Sequence, residues 1–171
     1  MSAITQAWLA PSQALQLSQI PDFVLSTGLP LREEKRYGFR CGNLNFLIAT
    51  QTHSELAYSR QIASLPGAPD YLLGLYNQRG NLIPVFHLAL ALGLSSQSGT
   101  PPYLLILEQR EQALAIAIEH QPEHVRQLSI LNGQHAIPEI LLKHVSQICL
   151  SDKQAWLEFD HKSFFKSLAQ N

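Results

Sequence analysis

Short apolar runs separated by turn residues dominate the chain after its first 35 positions, and this pattern is typical of β-strands. The first two runs cover residues 37–41 and 44–49, on either side of Gly42 and Asn43. Glycine adopts a positive φ without a steric penalty, so a Gly-Asn pair at this spacing predicts a two-residue hairpin of type II′.

A second hairpin is predicted around the polar stretch 77–81. Residues 72–76 and 82–88 are the apolar runs on its two sides. Pro84 lies within the second run and has no N–H to donate to a neighbouring strand. Its strand is therefore expected at a sheet edge, or with a bulge at the proline.

A third hairpin is predicted from residues 103–107 and 113–118, which flank a polar turn of Glu, Gln and Arg. Residues 148–150 and 156–159 are shorter strand candidates. Many short strands with close turn signals favour barrels or a sandwich. A parallel βαβ sheet is disfavoured, because the long helices that connect its strands are missing from the pattern.

Helices are predicted to be few and short. One covers residues 87–92 and ends at Gly93, and another covers residues 138–144 with a proline at its first position. Asp160 is a candidate N-cap for a final helix. The apolar residues that share one face of this last helix are Phe164, Phe165 and Leu168.

The first 35 residues differ from the rest and are predicted to form an N-terminal extension of a domain at 36–171. Ser12 is a candidate cap for a short helix that stops at Pro21. Residues 1–31 contain one charged side chain, Asp22, and no Lys or Arg. A secretory signal needs a basic start, so no signal peptide is predicted.

Composition suits one globular domain, because the 171 residues are 46% hydrophobic and only 15% charged. The net charge is −1, so no basic footprint for nucleic acid or an anionic membrane is expected. The longest apolar stretch, residues 82–94, is shorter than the roughly 20 residues that span a bilayer. We therefore expect a cytoplasmic protein.

Residues with catalytic or metal-binding potential are sparse. The closest pair among the seven histidines is His120 and His124, but Pro122 interrupts the helix that would place both on one face. Neither Cys-x-x-Cys nor His-Glu-x-x-His occurs, so we expect no metal and no cofactor. Cys41 and Cys149 are expected to be small buried hydrophobes, and a hydrolase that uses one of them with a histidine is the alternative.

The segment 65–88 carries a more specific pattern. A proline precedes an apolar-Gly strand, the turn contains Asn77, Arg79 and Gly80, and the next strand holds a second proline. A short helix ending in Gly-Leu follows. This spacing resembles the central signature of the CheW-like family, and the resemblance extends more weakly over residues 37–168. The chain is most similar to the CheW-like adaptor of type IV pilus chemosensory systems at its extension, at residues 38–40 and at residues 156–159.

The resemblance implies an all-β fold of two intertwined, five-stranded SH3-like barrels with a hydrophobic groove between them and a C-terminal helix. It implies a non-enzymatic scaffold in chemotaxis or twitching motility. The implied partners are the cytoplasmic tip of a methyl-accepting chemoreceptor, the regulatory domain of a CheA-type histidine kinase, and neighbouring CheW-like modules in an array. Nucleic acid is not among them.

The resemblance assigns a binding role most strongly to Arg79. Arginine suits such a role, because its planar guanidinium can hold a carboxylate with two hydrogen bonds. Glu55 is its candidate partner, within the protein or at the rim of an interface. Asn77 and Gly80 are expected to support the turn that carries Arg79. Three aliphatic side chains are candidate groove residues, with a core position as the alternative for each: Leu56, Leu75 and Ile83.

Several positions depart from the family pattern. His87 stands where the family usually has Asp, and Gln78 stands where it has Leu or Val. Glu119-His120 replaces an acidic Val-Asp-like pair, and residues 121–143 match poorly. The alternative is a divergent adaptor with the same fold but a different partner or a non-motility output. A barrel that binds nucleic acid is a further alternative, which the net charge of −1 disfavours.

Overall fold

A computed structural model describes residues 36–59, 61–94, 99–131 and 137–170. The predicted extension, with its short helix, lies outside these residues. The described strands are β1 (Arg36–Cys41), β2 (Leu44–Ile48), β3 (Ser54–Tyr58), β4 (Ile62–Ala63), β5 (Leu72–Gln78), β6 (Asn81–Phe86), β7 (Tyr103–Leu107), β8 (Leu114–Ile118), β9 (Glu123–Val125), β10 (Ser129–Ile130), β11 (Val145–Ser151) and β12 (Gln154–Phe159). The α-helices are α1 (Leu88–Ala91) and α2 (His161–Leu168), and the 3-10 turns cover Arg110–Gln112 and Glu139–Leu141.

The strands form two mixed sheets of six strands each. Sheet I has the order β10-β11-β12-β2-β1-β9, and sheet II has the order β3-β7-β8-β6-β5-β4. All of sheet II is inserted in the chain between β2 and β9 of sheet I, so the two barrel-like units are intertwined. The predicted fold class is confirmed. Each sheet has six strands where five were expected, because very short strands are added at the sheet edges. Among the described helices none has the length and apolar character needed to cross a bilayer.

Local turn chemistry determines the hairpins. Cys41 pairs with Leu44, and Gly42 has a φ of 60° while Asn43 keeps a negative φ, which is the predicted type II′ turn. The predicted five-residue turn at 77–81 is too long. The strands continue to Gln78 and Asn81, leaving a two-residue turn between them.

Pro84 does not lie on an edge strand, and the bulge of this hairpin lies in β5 between Leu72 and Gly74, opposite Phe86 and Val85, and not at the proline. Strand β6 lies between β5 and β8, but its pairing with β8 begins only at Val85. Counting back from the two-residue turn, Pro84 faces Leu75 at a position that exchanges no hydrogen bonds. An N–H at this position would point away from β5, and the pairing with β8 starts only at the next residue. The proline therefore costs no hydrogen bond between strands.

Both faces of β7 and β8 are buried, and in β8 the side-chain size differs between the faces. Ala115 and Ala117 point into the interior of sheet II with Leu104 and Ile106. The alternate residues on both strands are large and face sheet I: Leu105, Leu107, Leu114, Ile116 and Ile118. Phe39, Phe46, Leu157 and Phe159 meet them from sheet I. In β8 the small residues therefore lie inside the curved sheet, beside Leu104 and Ile106 of β7, and the large ones fill the space between the sheets.

Helix α2 joins the two sheets at their common end. Asp160 caps it as predicted, because its side chain accepts a hydrogen bond of 3.0 Å from the Ser163 N–H. The Phe165 ring lies 4.4 Å from the ring of Phe86 in sheet II, and the Phe164 ring lies 5.4 Å from that of Phe159 in sheet I. Burial of each phenylalanine stabilises the fold by about 1.5–3 kcal/mol.

Two buried histidines lie where the helices meet the sheets. His87 precedes α1, and neither ring nitrogen has a hydrogen-bond partner among the described residues. His161 begins α2, and its Nε2 lies 3.3 Å from Glu108 Oε1 without hydrogen-bond alignment. Burial lowers the pKa of both rings below 6.5, against the opposing attraction of Glu119 for His87 and of Glu108 for His161. The positive charge of Lys162 also lowers the pKa of His161, whereas the negative charge of Asp160 raises it.

Gly38 is required by close packing within sheet I. A Cβ at this position would lie 2.2 Å from Cζ3 of the Trp156 ring and 2.9 Å from the Phe46 carbonyl oxygen. Trp156 is buried and stacks against sheet I over this glycine. The segments around Gly38 and Trp156 therefore form one packing unit, although 118 positions separate these residues in the chain (156 minus 38).

We expect Gly38→Ala to lower the free energy of unfolding by about 2–3 kcal/mol, because the added methyl group overpacks a rigid site. Gly67→Ala is the matched control, since Gly67 has a φ of 77° and open space around its Cα. The control should cost only the left-handed backbone penalty of about 1 kcal/mol. Urea unfolding measures both, and equal losses would contradict the packing argument.

We expect stability to fall as the pH drops below about 6.5. The lowered pKa of His87 and His161 means that the unfolded chain binds protons more readily than the native state in this range. The contribution is present above pH 6.5 and is lost as the pH falls through the native-state values. Urea midpoints at neutral and mildly acidic pH measure the effect, and His87→Gln and His161→Gln should each reduce the difference. Identical midpoints in the unmodified chain would contradict it.

Candidate functional site

The turn between β5 and β6 meets the start of β3 through polar side chains. Arg79 Nη2 lies 3.2 Å from Glu55 Oε1, and Gln78 Nε2 donates a 3.0 Å hydrogen bond to Glu55 Oε2. The two carboxylate oxygens are thus held by two successive residues of the turn. Because β3 and β5 lie on opposite sides of the sheet order, this contact brings together two distant strands of sheet II.

The conformation of the turn orients Arg79. Arg79 and Gly80 have φ values of 52° and 91°, and positive φ at both central residues is the type I′ geometry. The Gly80 N–H donates a 2.7 Å hydrogen bond to Asn77 Oδ1. Glycine at the second position avoids steric strain, and Asn77 fixes the turn from within the strand.

The ion pair is too exposed to hold the fold together. The side chain of Arg79 is 82% exposed and that of Glu55 is 34% exposed. Exposed pairs of this kind contribute about 0–1 kcal/mol to stability. The geometry therefore presents a guanidinium in a defined position, with hydrogen-bond donors directed to solvent.

An apolar surface adjoins the turn. Leu75 is paired opposite Pro84, and Asn77 is paired opposite Leu82, so their side chains share the outer face of the β5–β6 hairpin. Leu82 is 65% exposed. Leu56 is 41% exposed but points to the opposite face of β3 from Glu55, because successive side chains in a strand alternate.

The structure brings four of the seven predicted site residues into one cluster, places Leu75 beside it, and separates Leu56 and Ile83 from it. Arg79, Glu55, Asn77 and Gly80 form one cluster, and Leu75 lies beside it. Ile83, predicted as a groove residue, is 2% exposed and packs in the interior of sheet II. Residue alternation from the turn puts Ile83 inward and Leu82 outward, so Leu82 is the residue that the sequence prediction missed.

Gln78 was also missed as a member of the cluster. In the sequence Gln78 stands out only as a departure from the family pattern. In the structure its side-chain amide supplies one of the two contacts to Glu55. Its position two residues after the last apolar residue of a strand gives no signal that its side chain reaches another strand. Only the curvature of sheet II brings Gln78 and Glu55 together.

Neither cysteine has the environment of a catalytic nucleophile. Burial, with a smaller effect from Glu119, raises the pKa of the Cys41 thiol to about 12. Burial also raises the pKa of Cys149, with Glu158 acting in the same direction. A thiolate is the reactive species, so the raised pKa values lower the reactivity of both thiols near neutral pH. Within the described ranges, no cluster of three or more His, Cys, Asp or Glu side chains could hold a metal ion.

Comparison with known proteins agrees with this geometry. A curated protein of Rhizobium etli, named "Probable chemotaxis protein CheW", is 27% identical over 82 residues, which cover 47% of this chain and 53% of that protein. The match therefore spans about half the length of the curated relative. The crystal structure of the scaffolding protein TtCheW from Thermoanaerobacter tengcongensis aligns with a TM-score of 0.58 at 18% identity, covering 75% of this chain and 89% of that one.

The structural likeness shows a common fold, since the identity is low. The family model for the CheW-like domain matches residues 37–169, which extend from β1 into the residue after α2. The match includes both sheets and the turn that carries Arg79. This chain therefore belongs to the CheW-like family.

Proposed function

We propose that this chain is a non-enzymatic coupling adaptor that links a chemoreceptor to a CheA-type histidine kinase. The observation that carries the proposal is the exposed Arg79, held on a type I′ turn against Glu55 within the family signature. An adaptor works by binding, and a fixed charged group beside exposed apolar side chains suits that role. The regulatory domain of the kinase and the cytoplasmic tip of the receptor are the proposed partners.

Arg79 and Leu82 supply complementary kinds of binding energy. Arginine is enriched among the few residues that dominate protein interfaces, because its fork forms directional hydrogen bonds and its stem covers apolar surface. Leu82 and Leu75 offer apolar area on the same hairpin. A partner carboxylate could share the guanidinium with Glu55 or replace it, without loss of the turn geometry.

A single small interface of this kind binds weakly, so assembly is part of the proposed mechanism. Receptor, kinase and neighbouring adaptors held in one array raise the effective concentration of each contact. A change in receptor state then shifts the kinase between conformations only if the two states differ in their contacts with the adaptor. The proposed location is the cytoplasm, at receptor arrays.

We further propose that the output is type IV pilus twitching motility. The support is the resemblance of the N-terminal extension, residues 1–35, and of the segments around Gly38 and Trp156 to the adaptor of pilus chemosensory systems. Those two segments pack directly on each other, because the Gly38 Cα lies under the Trp156 ring. A large Trp156 ring requires a glycine at position 38, so the two segments are expected to occur together.

The divergent-adaptor alternative rests on His87, Gln78 and the poorly matching second half of the domain, and the geometry bears on the first two. His87 is buried, so it offers no side chain to a partner. Gln78 hydrogen-bonds to Glu55 and helps to hold the site that Arg79 presents. Both departures therefore leave the exposed surface around Arg79 in place.

We expect Arg79→Ala to weaken binding to the regulatory region of the organism's own CheA-type kinase about tenfold, which corresponds to ~1.4 kcal/mol. The melting temperature should hardly change, because the ion pair is exposed. Arg110→Ala is the matched control, since Arg110 is also an exposed arginine with a positive φ of 56°, in the 3-10 turn between β7 and β8. Calorimetric titration measures the affinities. Equal effects of both substitutions, or an unfolded Arg79→Ala chain, would contradict the assigned role.

We expect both cysteines to react slowly with a chromogenic disulfide reagent near neutral pH, because burial raises the pKa of each thiol. Denaturant should release fast reaction at both positions. The same reaction after Cys41→Ala or Cys149→Ala assigns the rates. Rapid labelling of either thiol in the native chain would favour the hydrolase alternative instead.

A further inference from the structure

The side chains of Gln78 and Glu55 lie on the inner face of sheet II. Gln78 is the last residue of β5 and comes two positions after Tyr76, whose paired residue Ile83 packs in the interior. Glu55, near the start of β3, pairs with Ile106, which is also interior. Side chains alternate along a strand, so Gln78 and Glu55 both point inward. Their contact therefore links two strands across the curve of the sheet.

The carboxylate of Glu55 is divided between two donors of different chemistry. The Gln78 amide donates a 3.0 Å hydrogen bond to Oε2, and Arg79 Nη2 donates a 3.2 Å hydrogen bond to Oε1. Pairs of arginine and carboxylate are frequently bidentate, with two parallel N–H groups on the two oxygens. Here the amide of Gln78 occupies the oxygen that the second N–H of such a fork would use.

The single contact leaves most of the Arg79 guanidinium unused. The bond to Glu55 is the one hydrogen bond that the guanidinium makes to another described residue. Arg79 is 82% exposed, whereas Glu55 is 34% exposed and Gln78 is half-buried. A guanidinium carries several N–H donors, so those that Glu55 does not use stay available to a second acceptor. A bidentate pair with Glu55 would withdraw one more of them.

We propose that Gln78 is a positioning residue that restricts Glu55 to one contact with Arg79 and so keeps the guanidinium available to an acidic side chain of the partner. This inference rests on the proposed adaptor function, in which the partner is the regulatory region of the kinase. Gln78 acts through Glu55, because its own side chain points into sheet II. The guanidinium would then bridge two carboxylates, one from each protein.

The first test uses the free chain and the variant Gln78→Met, which keeps the length of the side chain but removes its N–H donors. We expect Arg79 to pair with both oxygens of Glu55 in this variant. Its guanidinium NMR signals should then show slower rotation about the Nε–Cζ bond, with little change in the melting temperature. Gln112→Met is the matched control, since Gln112 is an exposed glutamine in the 3-10 turn between β7 and β8. Arg79 signals that Gln78→Met leaves unchanged would overturn the proposal.

The second test is a double-mutant cycle on binding to the regulatory region of the organism's own CheA-type kinase. We expect Gln78→Met to weaken binding about threefold in the unmodified chain and to have no effect in the Glu55→Ala background. A side chain that touched the partner directly would keep its effect when Glu55 is absent. Calorimetric titration gives the four affinities. An equal loss in both backgrounds, or no loss in the unmodified chain, is the opposite result and rules out a role through Glu55.

The two tests separate this inference from the proposed adaptor function. A folded, unmodified chain that does not bind the kinase region would contradict the adaptor function. The Arg79 signals of the free chain would still decide whether Gln78 limits the ion pair, since no partner is present in that measurement. Normal kinase binding together with Arg79 signals that Gln78→Met does not move would contradict the role of Gln78 alone.

Discussion

The packing of large apolar side chains between the two sheets is the interaction on which the rest of this structure depends. Strands β7 and β8 supply leucines and isoleucines from sheet II, and Phe39, Phe46 and Phe159 meet them from sheet I. Full burial of each such side chain contributes about 1.5–3 kcal/mol. Because sheet II is a continuous stretch of chain inserted between β2 and β9, sheet I is assembled from two separate stretches, and the interface with sheet II packs against both of them.

This central interface also explains where α2 lies. The helix is only eight residues long and would be marginal in isolation. Its Phe164 and Phe165 complete the apolar layer at one end, and Lys162 contacts Glu108 of the β7–β8 loop at a distance of 3.0 Å. The helix is therefore held by both sheets and closes the space between them, rather than standing as an independent element.

A rigid interface between sheets gives fixed positions to groups at the tips of hairpins. Arg79 and Lys153 lie on two-residue turns of different sheets, each with a positive φ. The Arg79 turn has glycine at its second position, whereas the Lys153 turn carries the strain of a lysine there. In both turns the backbone conformation fixes where the side chain leaves the chain, and at Arg79 the Glu55 contact also holds the guanidinium before any partner binds. The proposed binding role of Arg79 depends on this property.

Sequence reasoning succeeded where the determinants are local. The Gly42-Asn43 turn, the β7–β8 hairpin and the Asp160 cap each depend on a few adjacent residues, and the structure confirms them. It failed where the curvature of a sheet or the register between strands determines which residues pair. Strands β4, β9 and β10 have two or three residues each, too few to show a periodic pattern, and strand β3 was missed because only part of each face is covered.

The candidate site shows the same division. Glu55 and Arg79 were expected as partners from the resemblance, and the 3.2 Å contact between them depends on the bending of sheet II, which no local pattern encodes. Ile83 occupies the core position that was its alternative, because it pairs with Tyr76 on the inner face of the hairpin, whereas Leu82 pairs with Asn77 on the outer face. Neighbouring residues of a strand point to opposite faces, so Leu82 is on the outer surface and Ile83 is in the core.

The most direct test of the adaptor account is a bridging measurement. Membranes or nanodiscs that carry the organism's own chemoreceptor are sedimented with its CheA-type kinase, with and without this chain. The account predicts that the kinase sediments with the receptor in the presence of this chain and that little does so in its absence. Kinase recovery that is the same with and without the folded chain would contradict the claim that it couples the two.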